Sequence, residues 1–366
     1  MSKEHVKKLA EKLKDLEERK KKIVKNKATE DGYYHIARLI AKTKEEIQRA
    51  SRQGSTSYGF SVKKTGDKTV ALVGFPSAGK SSLINVLTSV NSKTAEYAFT
   101  TTEVIPGMLI YKDAHIQILD LPGIIENAAT GRGNGKAVLA AVRATDLICI
   151  VLDVNDYTKI DNILEELRRM HIYINKRKPD IKIEQKSSGG INITGKASVN
   201  KNEIIYILKS ISIYNADVII NDPVDAEEFI SIVYNNAKYV NAICALNKID
   251  LNESYNEIAD QISKRYNIEV IPISVMKDIN IDKLKEAIFR NLNIIRVYTR
   301  SKLEDEPTPM ILDKGSTVYD AAKKIHSELA REMRYAYITG RSVKFSMQKV
   351  SPQHVLEDGD IITIVR

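Results

Sequence analysis

The stretch "TVALVGFPSAGKSSLINVL", residues 69–87, decides how the rest of the chain is read. Val70 to Val73 form an unbroken apolar run that stops at Gly74, and beyond Lys80 the apolar residues Leu83, Ile84 and Leu87 recur at helical spacing. The first half reads as a strand buried on both faces and the second as an amphipathic helix. Their join, Gly74 to Ser81, fits G-x-x-x-x-G-K-[ST] in the strand–loop–helix setting that this pattern requires. Glycines let the backbone wrap tightly, so that its N–H groups and the positive end of the helix converge on a phosphate. Gly74, Phe75, Pro76, Ser77, Ala78, Gly79, Lys80, Ser81 and Ser82 are therefore expected to cradle a phosphate chain. Lys80 supplies a point charge to the outer phosphates, and the Ser81 hydroxyl can ligate Mg²⁺.

Further pieces follow in a fixed order. In "ILDLPGIIENAATGRGNG", residues 118–135, Asp120 ends an apolar strand and precedes Leu121, Pro122 and Gly123. There a carboxylate can reach Mg²⁺ through water, and the Gly123 N–H can meet the outermost phosphate. The loop "AFTTTEVIPG", residues 98–107, carries Phe99 and three threonines, Thr100, Thr101 and Thr102, one of which is expected to hold Mg²⁺. "NKID", Asn247 to Asp250, ends another apolar run. The Asp250 carboxylate can accept two N–H bonds from the guanine edge. Adenine would leave buried polar groups unpaired there, a strong basis for discrimination. Lys248 can pack over the base plane, and Ser274 and Val275 are expected to complete the base pocket. Guanine nucleotide binding is the reading that joins all four motifs, and an adenine-specific ATPase is the reading that Asp250 opposes.

Outward from the site, alternating strand and helix patterns over residues 65–293 predict an α/β domain, a mostly parallel sheet with helices on both faces. Within it, residues 172–225 have short alternating strands, a Gly189-Gly190 turn and one helix, and read as an inserted α+β module. Residues 294–366 read as strand, acidic Pro linker "EDEPTP", strand "MILD", one helix "TVYDAAKKIHSELA" and two closing strands, a β-grasp pattern. Residues 1–64 predict a helical hairpin. Val6, Leu9, Leu13, Leu16 and Ile23 mark its first helix, Asp31-Gly32 a break, and Ile36, Ile40 and Ile47 its second helix.

That hairpin holds 18 Lys/Arg against 9 Asp/Glu, while the remaining residues hold 38 of each, so the whole net charge of +9 sits in the arm. A local basic element fits contact with a phosphate backbone; the competing reading is a solvated helix. No apolar run is long enough to span a bilayer, and the first residues lack an apolar signal core, so a cytoplasmic protein without membrane contact is expected. Cys149 and Cys244 lie in apolar runs and read as packed thiols. The six histidines have no zinc-ligand spacing.

The sequences "ALVGFPSAGKSSLINVLT", "AEYAFTTTEVIPGMLIYKDAHIQILDLPGIIENAATGRGNGKAVLAAVRATDLICIVLDV", "SSGGINIT", "ALNKID" and "LEDGDIITIVR" together resemble the developmentally regulated (DRG) branch of the Obg-related GTPases. The resemblance implies a helical hairpin, a P-loop GTPase domain, an inserted module like ribosomal protein S5 domain 2, and a C-terminal TGS domain of β-grasp fold. It points to Thr101 as the Mg²⁺-binding threonine, and so to Lys80, Thr101 and Gly123 as the residues nearest the hydrolysed phosphate. It also places Ile124 where the best-known GTP switches carry a water-positioning glutamine. A hydrophobic residue cannot orient water, so slow intrinsic hydrolysis of GTP to GDP is implied. Some relatives use potassium and mark it with an asparagine in the phosphate loop; Ser77 stands there, which weakens that expectation. Arg132 could act in cis, against the plainer reading of a solvated loop arginine. The implied role is a switch acting on ribosomes, translation or RNA, with the basic arm and the TGS domain docking RNA or a protein. The contrasting role is a non-catalytic assembly module in which GTP is mainly structural.

If guanine is the base, Asp250→Asn weakens GTP and favours xanthosine nucleotides. Calorimetric titration with both checks this, and unchanged affinities would remove the guanine assignment.

Overall fold

The computed structural model describes residues 66–88, 106–121, 141–196, 199–300 and 307–365, and scattered helical positions between 12 and 43. The chain forms two compact units, one of residues 63–122, 145–157 and 241–366, the other of residues 1–62, 123–144 and 158–240.

In the first unit, β1 (Lys68–Val73) runs into α1 (Lys80–Leu87), β2 (Pro106–Tyr111) pairs with β3 (Ala114–Asp120), and β4 (Leu147–Asp153) follows. β1 lies parallel between β3 and β4. Val70 to Val73 are fully buried, as a strand with both faces covered must be. After β9 (Lys238–Asn247) come α5 (Tyr255–Tyr266), β10 (Glu269–Pro272) and α6 (Ile281–Asn291). β9 lies parallel to β4 and β10 parallel to β9, giving the order β10-β9-β4-β1-β3-β2. Leu83, Ile84 and Leu87 of α1 and Leu284 and Ile288 of α6 pack into one apolar cluster with Val70, Leu72, Cys149 and Val151.

β2 begins at Pro106, so it takes in the last two residues, Pro106 and Gly107, of the expected loop 98–107. β2 is antiparallel to β3, and the hairpin turns on Lys112 and Asp113, both at positive φ (49° and 63°). This is the backbone of a tight two-residue turn, formed here without the usual Asn-Gly pair. Burial pushes the Cys149 thiol up to about 12 and the Cys244 thiol higher still, so both behave as packed apolar groups.

The tail of this unit is a β-grasp sheet in the order β12-β11-β15-β13-β14. Its strands are β11 (Ile294–Thr299), β12 (Thr308–Asp313), β13 (Tyr335–Thr339), β14 (Gln348–Val350) and β15 (Ile361–Val365). The central β11 and β15 run parallel. Two expectations are corrected. β12 starts inside the Pro linker, and Pro309, opposite Tyr298, is tolerated because β12 is an edge strand. The single helix divides into α7 (Val318–Ile325) and α8 (Ser327–Glu332), because His326 is extended (φ −160°) and its Nδ1 accepts the Glu328 N–H to cap α8.

The second unit contains α2 (Ile160–Arg169), β5 (Ile172–Ile174), β6 (Ile181–Gln185), β7 (Ile191–Gly195), α3 (Lys201–Ser210), β8 (Ala216–Ile220) and α4 (Ala226–Val233). β8 pairs with β6 and β7 in a small sheet. That sheet begins at Ile181, not at 172, because β5 pairs in parallel with Lys238–Val240 at the start of β9. Its apolar cluster extends beyond residue 225 to Phe229 and Ile230 of α4. Ala37 of the basic arm joins the same cluster. Leu16 and Ile40 are buried as expected. Gly32, expected at the break, is helical; an isolated glycine costs a helix only about 1 kcal/mol relative to alanine. Val6, Leu9, Asp31, Ile23 and Ile47 lie outside the described residues. No helix among the described residues is long and apolar enough to cross a membrane.

Phe229 is among the largest fully buried side chains, whereas Ile110 is 65% exposed. Phe229→Ala is expected to cost about 3–5 kcal/mol, and Ile110→Ala to change stability by less than about 0.5 kcal/mol. Urea unfolding followed by circular dichroism compares the two.

Candidate nucleotide site

The site is built on the C-terminal ends of β1, β3, β9 and β10, where an open parallel sheet ordinarily binds its ligand. The phosphate loop leaves β1 at Gly74. A Cβ there would lie 2.3 Å from the Val151 carbonyl oxygen of β4, so only glycine lets the loop start so close to the sheet. Ser77 and Gly79 take positive φ (69° and 93°) and fold the loop back to the first turn of α1. No acidic residue occupies that turn, and Gly79 at its N-cap has no side chain to cap it, so its amides face the loop without a competing carboxylate of their own helix. Lys80 Nζ donates to the carbonyls of Gly74 (2.8 Å) and Phe75 (3.0 Å), which aims the ammonium across the loop. Burial lowers the Lys80 pKa, and the Asp120 carboxylate partly offsets this.

Ser81 and Asp120 come together as expected. Ser81 Oγ donates to Asp120 Oδ2 at 2.8 Å, while Asp120 Oδ1 is buried without a hydrogen-bond partner among the described residues. A hydroxyl beside an unsatisfied carboxylate oxygen is a donor set that suits a hard divalent cation. Leu121 is fully buried behind it. Phe99, Thr100, Thr101, Thr102, Pro122, Gly123, Ile124 and Arg132 lie outside the described residues.

On the base side the structure assigns work that the sequence reading left unspecified. Asn247 is buried; its Nδ2 donates to the Ala78 carbonyl (2.9 Å), and its Oδ1 accepts the N–H groups of Lys248 (2.8 Å) and Val275 (3.2 Å). One side chain therefore ties the phosphate loop to both segments expected to hold the base. Gly79 is required beneath it, since a Cβ would come within 2.4 Å of Asn247 Nδ2. Ser274 is fully buried and its Oγ donates to Asp250 Oδ1 at 2.5 Å, which orients a carboxylate that is itself exposed. Each carboxylate oxygen accepts more than one bond, so Asp250 can still meet the two N–H groups of guanine.

Asp153 is the residue that the sequence motifs miss. It ends β4, and its Oδ2 lies 2.6 Å from Lys248 Nζ, with both side chains partly buried. Lys248 is at φ 65°, and the ion pair fixes the direction of its aliphatic stem. The available signal was a carboxylate closing the apolar run "LICIVLD", the same position on its strand that Asp120 has on β3.

The whole chain is similar to known proteins. Residues 69–181 match the family described as 50S ribosome-binding GTPase, residues 188–294 the C-terminal region of that domain, and residues 295–366 the TGS domain. An uncharacterized GTP-binding protein of Methanocaldococcus jannaschii is 40% identical over 365 residues, 98% of this chain and 93% of that one. Developmentally-regulated GTP-binding protein 1 of Xenopus laevis is 40% identical over 356 residues, 93% of this chain and 95% of that one. This chain belongs to the TGS-domain family of GTP-binding proteins. Among solved structures, that of the Schizosaccharomyces pombe YchF GTPase superposes with a TM-score of 0.51 at 17% identity, covering 83% of this chain and 99% of that one. This GTP-binding protein shares that fold: a P-loop GTPase domain followed by a TGS domain.

Asp153→Ala is expected to release Lys248 and weaken GTP and GDP equally, by about fivefold, because the pair acts on the base side alone. Fluorescent-nucleotide titration checks this, and a loss confined to GTP would place Asp153 with the phosphates.

Proposed function

We propose that this chain is a Mg²⁺-dependent GTP-hydrolysing switch of the developmentally regulated, Obg-related branch, with slow intrinsic turnover, acting on ribosomes or RNA. The observation that carries the proposal is the meeting of the phosphate loop, the Ser81–Asp120 pair and the Asn247–Ser274 network on neighbouring strand ends. Lys80 meets the outer phosphates, and the amides of the α1 N-terminus hold the inner ones. Ser81 and Asp120 hold Mg²⁺, which supplies positive charge to the phosphate oxygens. Thr101 and Gly123 complete the phosphate end, and Asp250 reads guanine.

Slow turnover rests on chemistry. Ile124 has no group to orient the attacking water; a switch that carries the glutamine turns over on the order of 10⁻⁴ s⁻¹ without an activating partner, and a site without that group is expected to be no faster. The ribosomal role draws on the description of the matched family as 50S ribosome-binding and on the basic arm, where all of the surplus charge lies.

Steady-state hydrolysis is measured with and without ribosomes. A slow basal rate that rises with ribosome concentration is the expected result. A basal rate unmoved at every ribosome concentration would favour an assembly module in which GTP is structural.

A further inference from the structure

The TGS domain carries a surface that nucleotide binding does not use. Residues 333–350, the hairpin of β13 and β14 with its connecting loop, contain Arg334, Arg341, Lys344 and Lys349 and no Asp or Glu. The same segment holds three aromatic residues, Tyr335, Tyr337 and Phe345. β14 is an edge strand, so the hairpin is open on one side.

The strand register separates two faces. Ala336, Ile338 and Val350 point into the TGS core. Tyr335 and Tyr337 therefore stand on the opposite face, where Tyr337 lies directly across from Lys349 on β14 and Thr363 on β15. The two tyrosine rings meet edge to face, with centroids 5.5 Å apart and planes at 84°. Lys349 Nζ sits 3.8 Å from the centre of the Tyr335 ring. The pair, with a cation over one ring, places aromatic surface and positive charge side by side on a half-buried sheet face.

The connecting loop is held firmly while its apolar side chains stay outside. The buried Asp360 carboxylate accepts the Ser342 N–H (3.2 Å), and Thr339 Oγ1 accepts that of Met347 (2.9 Å). Gln348 Oε1 accepts the N–H groups of Lys344 (3.0 Å) and Phe345 (3.4 Å). Yet Phe345 is 73% exposed and Met347 56% exposed. A fixed loop that holds a phenylalanine in water is arranged for contact rather than for packing.

We propose that this hairpin is a binding site for single-stranded RNA, with a base stacking on Phe345 and with Arg341, Lys344 and Lys349 meeting the phosphates. An exposed aromatic ring among cations, on a segment that itself carries no Asp or Glu, is what a flexible polyanion with exposed bases requires. A protein helix would ask for a continuous apolar groove instead. The site deepens the RNA part of the proposed function and rests on it.

The chain contains no tryptophan, so Phe345→Trp places a single fluorescent reporter on the hairpin. Full-length F345W is titrated with a short oligouridylate, reading anisotropy of labelled RNA and tryptophan emission in parallel. The expected result is binding with quenching of the tryptophan, and much weaker quenching by duplex RNA of the same length. In the full-length chain, Phe345→Ala is expected to weaken binding by roughly tenfold with the salt slope unchanged. Arg341→Ala is expected to lower that slope by about 0.7. RNA that binds without quenching lies elsewhere, as on the basic arm, and overturns this site while leaving the RNA reading standing. No RNA binding at all overturns both. Quenching that appears only with an added protein fraction overturns the RNA assignment.

Discussion

Asn247 donates to the Ala78 carbonyl and accepts from the Lys248 and Val275 amides, and through those bonds three loops from distant parts of the chain become one site. None of the three has a core of its own. Each hangs from the end of a parallel strand, and strand ends define where a loop begins but not where its middle lies. A buried amide with both ends satisfied supplies that missing constraint, because leaving any partner unpaired in a dry setting costs about 1–3 kcal/mol. The close approach of Gly79 follows from it, since only the absence of a Cβ leaves room for the Asn247 nitrogen.

Around this tie the charges divide by task. On the phosphate side, Lys80 is desolvated and lies near Asp120, and Asp120 keeps one buried oxygen without a hydrogen-bond partner among the described residues, beside the Ser81 hydroxyl. On the base side, Asp250 and Lys248 are each steadied by a neighbour, Ser274 and Asp153 respectively. The acidic groups at the ends of β3 and β4 thus take different partners, Asp120 the Ser81 hydroxyl and Asp153 the Lys248 ammonium. The arrangement keeps a carboxylate near every cation without placing one in the first turn of α1, where it would compete with phosphate for the amides.

Much of this was legible beforehand because it depends on local chemistry. The phosphate loop, the Asp120 strand end and the β-grasp tail each announce themselves through residue types at fixed spacing. β2 did not, because "PGMLIY" opens on a turn-like Pro-Gly pair and is apolar at every later position, so no alternation shows. The break at His326 was hidden for a similar reason: the apolar period runs on through it, and only the extended backbone with its imidazole cap ends the first helix. β5 looked like part of the inserted module because its sequence continues into it, whereas its hydrogen bonds go to β9.

The amino-acid sequence by itself determined the chemistry of the site: which residues can cradle phosphate, hold a cation and read guanine, and in what order they occur. It determined these because backbone freedom at glycine, charge at lysine and aspartate, and strand periodicity are properties of residues and their near neighbours. Tertiary structure alone decided that Asn247 binds the phosphate loop, that Asp153 steers Lys248, and that Tyr335, Tyr337 and Lys349 share one open face. Those pairings join residues far apart in the chain, or on strands whose register is set by the packing of a whole sheet, and spacing along the sequence carries no trace of them.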